Sequence, residues 1–127
     1  MIRGEKILSF VKYEKELESD YRRHLDDVKR PDEVGKVFVE FAFKLIKMVK
    51  SEIPDGYIEE IGFDPESDVP FKLGNGLKEA LSDLYEKSDL PAILERMARS
   101  AQNRYKKLKK DDERTDLFRL GDNAKPH

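Results

Sequence analysis

A chain of 127 residues, 38% hydrophobic and 41% charged with a net charge of −2, is sized for one domain. Folding at this length hides roughly two thirds of the surface that the unfolded chain exposes. The absence of cysteine excludes disulfides, thiolate catalysis and cysteine-held zinc, and no apolar run approaches the length of a membrane span. With 25 basic and 27 acidic residues nearly in balance, bulk charge names no partner and pattern must carry the reading.

The opening MIRGEKILSF lacks the apolar core and cleavage site of a secretory signal, so a cytoplasmic protein is expected. Three asparagines and one glutamine stand among abundant lysine and glutamate, a balance found in hyperthermophile proteins. In the first segment Phe10, Tyr13, Leu17, Tyr21, His24 and Val28 recur at steps of three and four, which predicts a helix from about Glu5 to Lys29. Pro31 ends it, and the acidic residues of RPDEV suit the first turn of a second helix, from about Asp32 to Ser51.

This second helix, VFVEFAFKLIKMV, is apolar over more than half of its circumference. It is therefore a central helix or one that also faces another subunit, with Val39, Phe43 and Ile46 as the interface candidates. Glu40 projects away from the apolar arc between Lys36 and Lys44, at salt-bridge spacing from both.

Periodicity lapses from Ile53 to Leu73, where three prolines predict a long irregular connection in which YIEEIGF is a short extended piece or a helical turn. A short third helix follows, through Leu77, Ala80, Leu81 and Leu84 to about Lys87. SDLP then caps a fourth, whose stripe is Leu90, Leu94, Met97, Ala101, Tyr105 and Leu108. The expected fold is all-α: an irregular four-helix bundle with one long connection between the second and third helices. Residues 1–110 form the single helical domain and 111–127 a polar C-terminal tail, in which Leu117 to Leu120 read as a short closing turn.

Four motifs bear on chemistry. In ESDYRRHLDD, His24 lies about 20° from the stripe centred on Leu17 and Asp20 is one turn before it, so an inward-facing Asp20–His24 pair is expected. With Asp27 it forms a weak candidate for metal binding or acid/base work, weighed against a structural or interface histidine. No second ligand-bearing helix supports the metal, since Glu-x-x-His is absent and His127 is the last residue. The loop DPESDVPFKLGN alternates Asp64, Glu66 and Asp68 as a calcium loop does, but Val69 and Asn75 occupy the places that need glycine and glutamate, so it reads as a solvated acidic loop. LGNG has neither the length nor the lysine of a phosphate loop.

Charge segregation is the fourth. Residues 1–90 carry 15 basic and 21 acidic side chains, and 91–127 carry 10 and 6. Arg96, Arg99, Arg104, Lys106, Lys107, Lys109 and Lys110 fall in a run with no acidic residue. Such a helix face suits phosphates or an acidic partner surface, or is a solvated face near a helix C-terminus. The sequence therefore points to a small non-catalytic interaction or assembly protein, self-associating or a subunit of a complex. The alternatives are nucleic-acid binding through the basic helix and, behind it, a metal-dependent enzyme centred on His24. No cofactor, membrane or small-molecule substrate is implied.

Overall fold

The computed structural model describes the backbone of residues 8–124 and the side chains of residues 8–111. The protein is mostly helical: α1 (Val11–Asp27), α2 (Val34–Val49), the strands β1 (Ile61–Phe63) and β2 (Phe71–Leu73), α3 (Asn75–Ala80), α4 (Ser82–Lys87) and α5 (Leu90–Ala124). Three of these helices are long. The expected third helix is broken at Leu81 into two of six residues, and the expected irregular connection folds into a 3₁₀ turn, Asp55–Glu60, and an antiparallel hairpin. Among the described residues no helix is long and apolar enough to cross a membrane.

α1 begins later than its periodicity suggests, because Leu8 is held in an isolated parallel bridge to Ser88. Leu8 donates to the Lys87 carbonyl at 2.8 Å and accepts from the Asp89 amide at 3.1 Å. The Asp89 carboxylate then takes the Phe10 amide at 2.8 Å and the Ser9 hydroxyl at 2.9 Å. Lacking a capping side chain of its own, α1 has this start satisfied from the start of α5.

α2 is the central helix, which accounts for its wide apolar arc. Val34, Phe38, Phe41, Ala42, Leu45 and Ile46 are buried between α1 and α5 on one side and the hairpin on the other. The hairpin pairs Ile61 with Leu73, Gly62 with Lys72 and Phe63 with Phe71. Ile61 and Leu73 thus point into the core, while Phe63 and Phe71 hold the Phe38 ring at centroid distances of 5.5 and 6.1 Å. Gly35 permits this close approach, since a Cβ there would stand 3.1 Å from Phe63.

The stripe predicted for the fourth helix faces this core along α5: Leu90, Leu94, Met97, Ala101 and Leu108 are buried and Tyr105 is half-buried. The Tyr21 hydroxyl donates to the Met97 carbonyl at 2.6 Å, and burial pushes that phenol well above its usual range, keeping it a neutral donor. Helical backbone runs on through the polar C-terminal segment to Ala124, so Leu117 to Leu120 continue α5 instead of forming the expected short closing turn; their side chains lie outside those described.

LGNG has a structural role. Glu60 Oε1 accepts the Leu77 amide at 2.7 Å, capping α3 from seventeen residues away. A Cβ on Gly74 would come within 2.6 Å of that oxygen, and one on Gly76 within 2.9 Å of Oε2. The glycines leave room for the cap. Glu60→Ala is expected to cost about 1 kcal/mol of stability in urea unfolding, as does loss of other helix caps. Gly76→Ala should cost a similar amount alone and little more in the Glu60→Ala background, where the carboxylate its Cβ would meet is gone. Full additivity of the two would refute the shared cap.

Candidate interaction surface

The Asp20–His24–Asp27 constellation does not assemble. His24 is exposed in the last turn of α1, where Tyr21 and Leu25 are the buried residues. Its Nδ1 lies 2.8 Å from the Asp20 backbone carbonyl, and since a carbonyl only accepts, Nδ1 carries the proton and donates. The Asp20 carboxylate instead takes Arg23 at 2.6 Å, and the imidazole rests against Phe41 with centroids 5.0 Å apart. The expected inward-facing carboxylate–imidazole pair is thus replaced by two local contacts, because Arg23, one turn along, reaches the carboxylate first. Among the described residues no group of three potential ligands could hold a metal.

The seven cations of the basic run divide into two sets. Arg96 grips both oxygens of Glu14 at 3.1 and 2.8 Å, fastening α5 to α1. Arg99 takes Glu95 and Gln102 along its own helix. The Arg104 guanidinium donates to the carbonyls of Leu25, Asp26 and Val28 at 2.8, 2.9 and 3.0 Å, satisfying the C-terminus of α1. Lys109 lies 3.6 Å from Glu66 and over the Tyr105 ring. The remaining three, Lys106, Lys107 and Lys110, are exposed.

Part of that basic face is covered by the acidic hairpin loop. Gln102, the only glutamine and a buried one, donates to the carbonyls of Pro65 and Ser67 at 3.0 and 3.3 Å, and the Tyr105 hydroxyl reaches Glu66 at 3.3 Å. The loop's acidic side chains Asp64, Glu66 and Asp68 are exposed, as expected, but its backbone is docked on α5 by a residue that the sequence did not single out. Being the chain's single glutamine, beside Asn103 in a cationic run, was its only signal.

The interface candidates on α2 separate as well. Ile46 is fully buried and Phe43 only 9% exposed, both covered by the chain's own elements, so neither offers a face to another subunit. Val39 is different: half-buried, it walls a depression of about 460 Å³ between α2 and the hairpin. Ile58 and Phe63 form the opposite wall, Gly35 lies between, and Asp32, Lys36 and Glu40 make a charged rim. A narrower cleft of about 170 Å³ between α1 and α5 has its polar groups paired with one another, Tyr21 to Met97 and Glu14 to Arg96.

No protein-family model, curated protein or solved structure matches this chain. Its functional reading rests on its own residues.

Proposed function

We propose that this protein is a non-catalytic interaction or assembly module whose contact surface is the outer edge of α2 with the adjoining hairpin. The observation that carries this reading is the apolar depression of Val39, Ile58 and Phe63 inside the rim of Asp32, Lys36 and Glu40. An apolar patch bordered by charge, here along its α2 side, fits the anatomy of protein–protein contact surfaces. Supporting it, the basic helix spends Arg96, Arg99, Arg104 and Lys109 on contacts within the fold, which leaves α5 less cationic surface than its sequence suggests.

Assembly is expected to register in one of two ways: a mass above the 14.8 kDa of one chain in light scattering, or a second chain that copurifies at fixed stoichiometry. Val39→Glu places a carboxylate on the apolar wall and is expected to abolish that association while leaving the helical circular-dichroism spectrum intact. An assembly indifferent to Val39→Glu, or no assembly of either kind, overturns the reading.

A further inference from the structure

The solvent-facing edge of α2 carries an ordered pattern of charge. Its exposed residues are Lys36, Glu40 and Lys44, and Asp32 in the turn before it is exposed too. These four stand at four-residue steps and alternate in sign. Within one chain they pair poorly: Lys44 approaches Glu40 only to 3.9 Å, and Asp32 turns away to Arg30 at 3.1 Å. Lys36 makes no ion pair among the described residues, although it is spaced for one with either neighbour.

Resting on the groove reading above, we infer that the partner on this surface is a second copy of the chain, packed with its α2 antiparallel to the first about a two-fold axis that crosses the exposed edge midway between Lys36 and Glu40. Alternating charges read backwards about that midpoint match themselves. Lys36 faces the partner's Glu40 and Asp32 faces the partner's Lys44, each pair formed twice by the symmetry. A parallel, in-register pairing would set like charge on like. The depression walled by Val39, Ile58 and Phe63 is continuous with this row, since Asp32, Lys36 and Glu40 are also its rim, so apolar burial accompanies the ion pairs.

Charge reversal tests the arrangement, and the exposure of all four positions makes the variants safe for the fold. Lys36→Glu alone and Glu40→Lys alone each set like charges together twice, and each is expected to weaken the dimer at least about tenfold in sedimentation equilibrium. Mixing the two variants equimolar restores opposite charges at both contacts, so a heterodimer with one copy of each is expected. The double variant Lys36→Glu/Glu40→Lys, complementary to itself again, is expected to dimerise as the unaltered protein does. Single variants that dimerise normally, a mixture no tighter than its components, or an unaltered protein that stays monomeric at about 100 μM each overturn the antiparallel pairing; that concentration lies far above a micromolar dissociation constant. If a different copurifying protein is lost in Val39→Glu but does not respond to the reversals, the groove reading stands and the second copy falls.

Discussion

Phe38→Ala is expected to lower the unfolding free energy by about 3–5 kcal/mol, the range for emptying a buried phenylalanine site. The ring is wholly shielded from solvent and is a contact through which the central helix holds the hairpin, against the paired Phe63 and Phe71. Neither strand is longer than three residues, and a hairpin so short is marginal without a surface to pack on. Truncation therefore removes apolar burial, two aromatic contacts and the anchor of β1 and β2 together. Against a total of about 5–15 kcal/mol for a domain, this is a large share. Urea unfolding of Phe38→Ala beside Phe38→Leu measures it, and the leucine variant should recover more than half of the loss because it refills most of the volume. A cost below about 1 kcal/mol for the alanine variant would mean that the hairpin is not held through this ring.

The three long helices were legible in sequence because burial on one face of α1 and α5 and around most of α2 recurs at the helical period, which a single chain displays. The wide arc of α2 was legible too, and of its two meanings the central position accounts for Phe43 and Ile46. The hairpin was legible only in part: YIEEIGF read as a short extended piece or a helical turn and contains both β1 and most of the 3₁₀ turn, but three-residue strands are too short to show alternation and nothing in the sequence pairs Phe63 with Phe71. LGNG stayed unexplained for a related reason, since its glycines answer to Glu60, which lies outside the motif. His24 was misplaced by projection. Helical geometry relates it to Leu17, but Tyr21 and Leu25 define the buried face, and a small rotation carries an exposed residue across its edge. For the basic run, sequence shows where cations are and is silent on which acceptors the fold brings to them.

Arg104 shows what that silence conceals. Arg104→Ala is expected to cost about 2–3 kcal/mol, with no nucleic acid or partner present, because its guanidinium serves three backbone carbonyls at the end of α1. The Asp26 carbonyl is exposed and regains a hydrogen bond from water, which discounts its share, whereas those of Leu25 and Val28 are partly buried and lose most of theirs. The forked, rigid donor set matters as much as the charge. Arg104→Lys keeps the cation but offers a single point of donation, so it should recover less than half of the loss. Hydrogen exchange locates the effect: Arg104→Ala is expected to speed exchange in the last turn of α1 by more than in the buried stretch of α5 from Leu90 to Ala101, where only the loss of global stability is felt. Lys107→Ala, on the same helix but exposed, is the control and should cost less than about 0.5 kcal/mol. Equal denaturation midpoints for Arg104→Ala and Lys107→Ala would return Arg104 to the set of surface charges free to meet a partner. The expected difference makes it an internal clasp between the C-terminus of α1 and the middle of α5.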